Sequence, residues 1–411
     1  MKNLPRLALS LSFLVLFILQ GCAALPNQLT GLIQSHTATP TATADAAAMV
    51  NSLTDQEVRL GVQEALDDYA RAYNRNDPEL LAQAVDQENL PFRRMVTSWF
   101  ETLQQSVSAG EVHYELTAQQ ITRLDQGYVM AHISAFGSLA ADWTFRYNGE
   151  RWVLSEPGKE QVGKPERVEK EHFIFEIYPW DRAYNDDIMK LMETAAEKVN
   201  AKLGKLPQEK ALVKILPGYS VNPAVDPNAM AYYNSSGSDN MDEIVVFAPN
   251  SMNFGFYDPT LGWQAALEQT LVHEYTHMTH MRAFDNAGKL MDWFKEGLAE
   301  MVSESTRIYE VTDGLQKDRL IPIIDSTASY NQQDLMHLYL LQTDVSLAYA
   351  ESESLVVYIM QNYGGMDAVW KLARADDDLQ DFDAALQQAL GVDYATFDKE
   401  WRLWLQQNFG S

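Results

Sequence analysis

The sequence is poor in cysteine and in basic residues. A single cysteine among 411 residues excludes a fold held together by disulfide bonds. Lysine and arginine total 31 against 57 acidic residues, so the formal net charge is -26. An acidic excess of this size argues against nucleic acid or an anionic lipid surface as a partner, because both would repel the protein. Apolar side chains, in contrast, make up 46% of the residues, which is sufficient for two or three domains with cores of their own.

The N-terminal apolar run is too short for a transmembrane helix. Lys2 and Arg6 precede LALSLSFLVLFIL, and this pattern is typical of a secretory signal peptide. The run ends at LQGC, which resembles a bacterial lipobox, although Gln20 departs from that motif. The resemblance implies that Cys22 becomes the lipidated first residue of an extracytoplasmic protein of the cell envelope, anchored to the membrane by its lipid. The alternative is an ordinary signal peptide followed by an unrelated cysteine.

Composition divides the chain into five parts. The tract HTATPTATADAAA has no apolar periodicity and is typical of a flexible tether. The stretch EPGKEQVGKPERVEKE is charged, contains Pro and Gly, and indicates a boundary between two domains. The predicted parts are a signal peptide (1–21), a lipidated cysteine with a flexible linker (22–52), a first domain (53–157), a second linker (158–170) and a second domain (171–411).

The first domain begins with helical periodicity and ends with strand periodicity. SLTDQEVRLGVQEALDDYARAYNRND, PELLAQAVD and FRRMVTSWFETLQQSV have apolar residues at helical spacing. EVHYELTAQQITRL, GYVMAHISAFG, ADWTFRYNG and RWVLSEP then alternate with period two and are joined by Gly-containing turns. Helices followed by an antiparallel sheet resemble the NTF2-like cone fold.

The sequence pattern of the second domain predicts a small sheet followed by helices. HFIFEIYP, ALVKILPG, AMAYYNSSG and DEIVVFAPN have the character of strands, and NDDIMKLMETAAEKVNAKLG that of an amphipathic helix. A long helical stretch begins near Leu261, and the C-terminal part from MDAVWKLARADDD onward is helical and acidic. The chain as a whole is therefore predicted to belong to the α+β class.

The stretch HEYTHMTH within the long helix indicates a metal site. On a helix, His273 and His277 are one turn apart, so both imidazoles can reach one ion from the same face. Glu274 lies beside that pair, where a carboxylate can take a proton from a metal-bound water. Zinc chemistry of this kind needs a third ligand and one open position.

Several residues compete for the place of third ligand. His280 lies about 10 Å along the helix axis from His273, too far for both to bind one ion. Glu296, in WFKEGLAE, follows after 18 residues, enough for one helix to end near Gly288 and a second to run back across it. Small residues beside Glu296, such as Gly297 and Ala299, permit close helix packing, and Glu300 is placed one turn on to hydrogen-bond the second nitrogen of a ligating histidine. Asp285 and Asp292 are weaker candidates.

Over about residues 170–365 the second domain resembles the gluzincin metallopeptidases, the group of thermolysin and the zinc aminopeptidases. The resemblance rests on HEYTH, the 18-residue gap and WFKEGLAE. It implies a metallopeptidase domain with one Zn²⁺ per chain, held by His273, His277 and Glu296, and Glu274 as general base. It also implies that Tyr349, in AYAESESLVVYIMQNYGG, stabilises an oxyanion, with Tyr330 and Tyr339 as rivals.

One departure from the aminopeptidases bears on specificity. Their Gly-x-Met-Glu-Asn loop is missing, and the corresponding region reads SDNMDEIVVFAPN. The strand DEIVVFA can instead bind an extended substrate by edge pairing. The predicted function is therefore a membrane-anchored zinc peptidase that acts on polypeptide, as an endopeptidase. The alternative is a membrane-tethered binding protein with a structural or vestigial zinc site.

Overall fold

The computed structural model describes residues 42–106, 113–204, 209–225, 228–235, 241–325, 333–341 and 344–410. The predicted signal peptide, Cys22 and the first part of the predicted linker lie outside the described residues. The described chain is mixed α+β and contains two sheets. None of its described helices combines the length and apolar character that crossing a membrane requires.

Four helices open the described chain: α1 (Ala42–Ser52), α2 (Asp55–Arg75), α3 (Pro78–Ala84) and α4 (Leu90–Ser106). Thr54 caps α2, since its hydroxyl accepts the Glu57 N–H while the Glu57 carboxylate accepts the Thr54 N–H. Residues 42–52 of the predicted flexible linker form helix α1. This stretch is rich in alanine, the best helix former, and its C-terminal end is held because Arg123 donates to the Val50 carbonyl.

The first sheet is an antiparallel meander of four strands in chain order: β1 (Leu116–Arg123), β2 (Tyr128–Ala135), β3 (Leu139–Tyr147) and β4 (Trp152–Leu154). All four lie within the stretches that the period-two pattern predicts. Helices α2 to α4 contribute apolar side chains to one core with this sheet. The helix-then-sheet order is confirmed, while the NTF2-like assignment stays a prediction.

The second predicted linker is ordered. Residues 158–170 contain a short helix α5 (Lys159–Val162) and strand β5 (Glu166–Glu169), which pairs antiparallel with the next strand. The boundary between domains at this place stays a prediction. Strand β5 places charged side chains on a sheet edge, where they face water. Its composition therefore matches that of a loop.

The second sheet has five strands in the order β5-β6-β7-β9-β8. Its remaining strands are β6 (Phe173–Ile177), β7 (Ala211–Leu216), β8 (Ala231–Asn234) and β9 (Glu243–Phe247), and helix α6 (Arg182–Leu203) connects β6 to β7. Strand β9 is parallel to β7 on one side and antiparallel to β8 on the other. The prediction that DEIVVFA forms an edge is therefore wrong, and the edge strand on this side is β8.

Seven helices complete the described chain: α7 (Trp263–Met281), α8 (Asp292–Ser303), α9 (Glu310–Gln316), α10 (Val345–Tyr363), α11 (Met366–Leu379), α12 (Phe382–Leu390) and α13 (Tyr394–Phe409). Helix α7 ends earlier than the predicted position near Gly288. Gly297 of α8 lies against the backbone of α10, where a Cβ would overlap the Ser352 carbonyl. The C-terminal helices pack on α10, and Trp401 donates to Ser354 there. This packing confirms a helical C-terminal part.

Candidate metal centre

Helix α7 runs through the interior of the second region of the chain, which corresponds to the second predicted domain (171–411). All its residues from Thr270 to His280 are buried, because the sheet lies on one side and α6 and α8 on others. His273 and His277 are one turn apart on this helix, and both side chains are buried. Polar groups in such a position require partners.

Three ligand atoms converge between α7 and α8. His273 Nε2 lies 3.1 Å from His277 Nε2, and Glu296 Oε2 lies 3.3 Å and 3.4 Å from these two nitrogens. Zinc bonds of about 2.0–2.1 Å in tetrahedral geometry place neighbouring ligand atoms about 3.3–3.4 Å apart. Glu296 is fully buried, and among the described residues its Oε2 accepts no hydrogen bond of normal geometry. The arrangement thus fits a zinc ion on chemical and geometric grounds.

The rival ligands lie outside this cluster. The described residues provide one group of three ligand atoms within 4.8 Å of one another, from His273, His277 and Glu296. Asp292 forms an ion pair with Lys295 at 2.7 Å, and Asp285 is exposed. The sequence argument against His280 and in favour of Glu296 therefore agrees with the geometry.

Buried groups contact the Nδ1 atom of each histidine, the ring nitrogen that lies away from the cluster. Glu300 Oε1 lies 3.3 Å from His273 Nδ1, and Arg307 lies 3.7 Å from the same oxygen. Burial raises the pKa of Glu300, but Arg307 and His273 outweigh it and bring the pKa to about 2. On the other histidine, His277 Nδ1 lies 3.1 Å from His280 Nε2, and burial holds the pKa of His280 well below its ordinary value. A carboxylate and a neutral imidazole therefore orient the pair.

Glu274 links the cluster to the sheet edge. It is buried, and its Oε2 accepts the backbone N–H of Tyr233 in β8 at 2.8 Å. Burial raises the pKa of Glu274, while the neighbouring His273 and His277 oppose the rise. Among the protein groups alone, burial lowers the pKa of His273, but Glu296 and Glu300 outweigh it and raise the pKa to about 10. A metal ion would compete with that proton.

Two tyrosines lie beside different members of the cluster. Tyr349 is buried in α10, with its ring nearly parallel to the His273 imidazole and the centroids 6.4 Å apart. Tyr339 lies in a short 3-10 helix, and its hydroxyl donates to Glu296 Oε1. Tyr330 lies outside the described residues. The sequence names Tyr339 but gives no sign of its bond to Glu296, since the two residues are far apart in the chain.

The contact between His277 and His280 also goes beyond the sequence prediction, which weighs His280 as a ligand only. The sequence does indicate this contact, because His277 and His280 are three residues apart and their rings therefore lie on one face of the helix.

Comparisons with known proteins give little beyond this geometry. No protein-family model and no curated protein matches the chain. Among solved structures, a mutant of an M1 zinc metallopeptidase from Deinococcus radiodurans is similar at 10% identity and a TM-score of 0.31. The match covers 71% of this chain and 61% of that one. Similarity at this level does not establish a shared fold.

Proposed function

We propose that the protein is a zinc-dependent peptidase of the gluzincin type. The observation that carries the proposal is the triangle of His273, His277 and Glu296, whose mutual distances of 3.1–3.4 Å match a tetrahedral zinc site. Zinc, when bound, lowers the pKa of a coordinated water and polarises a carbonyl group. A structural zinc site is the alternative, but such sites normally have four protein ligands, and this cluster offers three.

Glu274 is the proposed general base. Burial raises the pKa of Glu274 toward neutral pH. A general base works best when its pKa lies near the operating pH, because it is then both largely deprotonated and basic enough to accept a proton. The N–H of Tyr233 fixes one carboxylate oxygen at 2.8 Å, so the group has a defined orientation beside the two histidines. Glu300 and His280 act through those histidines by fixing the direction of each ring.

Tyr349 is the proposed donor to the oxyanion that develops during peptide hydrolysis. It lies against the ring of His273, while Arg307 lies on its ring at 5.1 Å from the centroid. The rival Tyr339 already donates its hydroxyl hydrogen to Glu296. Because the Tyr339 hydroxyl is bonded to a proposed metal ligand, we favour Tyr349 as the donor to the oxyanion.

An endopeptidase fits the surroundings of β8. As the edge strand beside Glu274, β8 can pair with an extended polypeptide. An exopeptidase needs carboxylates that bind a free α-amino group, but Asp242 forms an ion pair with Arg282 and Glu243 pairs with Lys214 at 2.7 Å. Of the acidic residues nearby, Asp239 lies outside the described residues. The two described carboxylates are thus already matched with cations.

The decisive experiment replaces Glu274 by glutamine. Removing a general base lowers turnover by about 10²–10⁴-fold, so digestion of a peptide blocked at both ends should fall by that factor while zinc content stays constant. Glu268→Gln, a half-buried carboxylate of the same helix, provides the matched control and should cleave normally. Unchanged cleavage by Glu274→Gln would contradict the proposal. Release of single residues from a second peptide with a free N-terminus, without any cleavage of the blocked peptide, would contradict the endopeptidase assignment.

The location in the cell envelope rests on the N-terminal sequence. Because LQGC resembles a lipobox, Cys22 is the proposed attachment point of a lipid anchor. The Cys22→Ser variant should move from the membrane fraction to the soluble fraction. Equal membrane association of both forms would speak against lipidation.

A further inference from the structure

Arg307 is a buried arginine in the short 3-10 helix Arg307–Tyr309, which follows α8 in the chain. Helix α8 ends at Glu304, whose backbone adopts the left-handed conformation with φ 57°. The chain then turns back, because the Ser305 N–H donates to the Glu300 carbonyl at 3.1 Å. The Ser305 hydroxyl in turn accepts the Arg307 N–H, also at 3.1 Å. This turn brings the Arg307 side chain back beside the side chain of Glu300.

The Arg307 guanidinium lies against two groups of the proposed active centre. Its Nη1 lies 3.7 Å from Glu300 Oε1, the same oxygen that lies 3.3 Å from His273 Nδ1. Its Cζ lies over the Tyr349 ring, 5.1 Å from the centroid. The Tyr349 ring is in turn stacked beside the His273 imidazole, with the centroids 6.4 Å apart. The four side chains therefore form a closed circle of neighbours, and Arg307 is its only cationic residue.

A guanidinium suits both contacts. It stays charged at physiological pH, and its planar shape allows it to pair with a carboxylate and to lie on an aromatic ring. Burial raises the pKa of Glu300, but Arg307 is the largest of the influences that bring it to about 2. A lysine would keep the charge beside Glu300 and lose the planar group that lies on Tyr349. Lysine at this position therefore separates the two contacts.

Glu353 is a second buried carboxyl group near this guanidinium. It lies one turn after Tyr349 on α10, so the two side chains share a face of that helix. Burial and the neighbouring Glu300 raise the pKa of Glu353 to about 8, although the Ile308 N–H and Arg307 oppose the rise. Near neutral pH Glu353 therefore holds its proton, and Glu300 is the ionised partner of Arg307.

We propose that Arg307 is a positioning residue that fixes two parts of the centre at once, the carboxylate that orients His273 and the tyrosine that donates to the oxyanion. The part of the inference that concerns Tyr349 rests on the proposed peptidase function. The part that concerns Glu300 and the metal does not depend on it.

The first test measures zinc affinity of the full-length protein by competition with a chelator. Arg307→Gln should bind zinc about 10-fold more weakly, because Glu300 loses the cation that keeps it directed at His273. Arg307→Lys should recover most of this loss. Arg402→Gln is the matched control, since Arg402 of α13 also lies on a ring, at 5.5 Å from the Trp401 centroid, and pairs with Asp398 at 3.0 Å. It should bind zinc as the parent does.

The second test measures cleavage of a doubly blocked peptide at saturating zinc. Arg307→Lys should lower kcat about 10-fold with KM unchanged, because the Tyr349 hydroxyl is then less well placed. In the Tyr349→Phe background, the same substitution should cause no further loss of kcat, since the hydroxyl that it positions is absent. A general weakening of the packing around α8 and α10 would instead lower kcat by the same factor in both backgrounds.

Each result bears on one part of the inference. Unchanged zinc affinity in Arg307→Gln overturns the link to Glu300. An equal loss of kcat in both backgrounds, or no loss in either, overturns the link to Tyr349. A parent protein that binds zinc and cleaves no peptide overturns the peptidase and with it the role of Tyr349, while the zinc measurements still decide the link between Arg307 and the metal.

Discussion

The first region (53–157) and the second region (171–411) each bury a network of charged side chains. The two networks differ in whether every carboxylate oxygen has a hydrogen-bond donor. In the first region, Asp86 accepts two hydrogen bonds from Arg146 at 2.7 and 2.8 Å, one from Ser155 at 2.7 Å and one from the Glu88 N–H at 3.0 Å. Both carboxylate oxygens therefore have donors. Such an arrangement compensates the cost of burying the charges.

The network in the second region is incomplete. Glu296 Oε1 accepts the Tyr339 hydroxyl, but Oε2 faces the two histidine nitrogens and accepts no hydrogen bond of normal geometry among the described residues. Without a metal, His273 is the group that can protonate beside this oxygen, because Glu296 and Glu300 outweigh burial and raise its pKa to about 10. The two networks therefore differ in the matching of their carboxylate oxygens rather than in the amount of buried charge, and this difference supports the proposed metal site.

Removing the unmatched carboxylate should have the largest effect. Glu296→Ala deletes one of three ligands, so we expect zinc content to fall from about one ion per chain to near zero. Elemental analysis of the purified protein measures this directly. Asp285→Ala, an exposed former rival, should retain the full content. A full complement of zinc in Glu296→Ala would refute the assigned ligand set.

Breaking the matched network should reduce stability and leave the metal unaffected. Asp86→Ala leaves the Arg146 guanidinium buried without its main acceptor, which costs about 3–5 kcal/mol. Glu88→Ala removes an exposed partner of the same arginine at 2.9 Å and should cost no more than about 1 kcal/mol. Denaturant unfolding gives both values, and zinc content serves as the control. Similar losses in the two variants would contradict the comparison.

Asp181 is a further buried carboxylate with poorly matched oxygens. It is fully buried, and neither oxygen accepts a hydrogen bond of normal geometry among the described residues. Burial raises its pKa from 3.8 to about 8, although the neighbouring Asn250 amide opposes the rise. Between about pH 4 and pH 8, the folded protein keeps a proton that the unfolded chain releases, so this group makes the free energy of unfolding decrease as pH rises.

The Asp181→Asn variant removes that titration. It should match the parent near pH 4 and be more stable at pH 9 by up to about 6 kcal/mol, since that is the free energy to which a pKa of about 8 instead of 3.8 corresponds. Unfolding across this range measures the difference. Asp186→Asn, on the exposed side of helix α6, which begins directly after Asp181, should follow the parent at every pH. Parallel pH profiles for Asp181→Asn and the parent would show that the buried group is ionised.

The smallest expected effect concerns Tyr339. Tyr339→Phe removes the donor to Glu296 Oε1, so the carboxylate is less well oriented and zinc should bind about 10-fold more weakly, or about 1.4 kcal/mol. Competition with a chelator measures this affinity. Tyr309→Phe, an exposed tyrosine, is the control. An unchanged affinity would show that the hydroxyl does not position the ligand.

The parts that the sequence predicts well are those set by local spacing. His273 and His277 share a face because one helical turn separates them, and the alternating strands of the first sheet show in their burial, as in β2. The order of the second sheet is different. β7 and β9 are buried along their full length as internal strands, whereas the edge strand β8 is mostly half-buried. The apolar run of β9 thus indicates an internal strand, but which strands are its neighbours depends on contacts between distant segments. Contacts such as that of Tyr339 with Glu296 depend on packing, which local patterns do not encode.

The close approach at Gly297 has a consequence for variation of this protein. The residue carries no functional group, yet its hydrogen sets the spacing of α8 and α10, and its neighbour in the chain is the carboxylate of the metal cluster. Any side chain there would force the two helices apart and displace Glu296 from the histidines. A survey of inactive variants would therefore rank this chemically silent position with the ligands themselves. Whether this centre tolerates a substitution therefore depends on the space between the helix backbones as much as on the functional groups of the side chains.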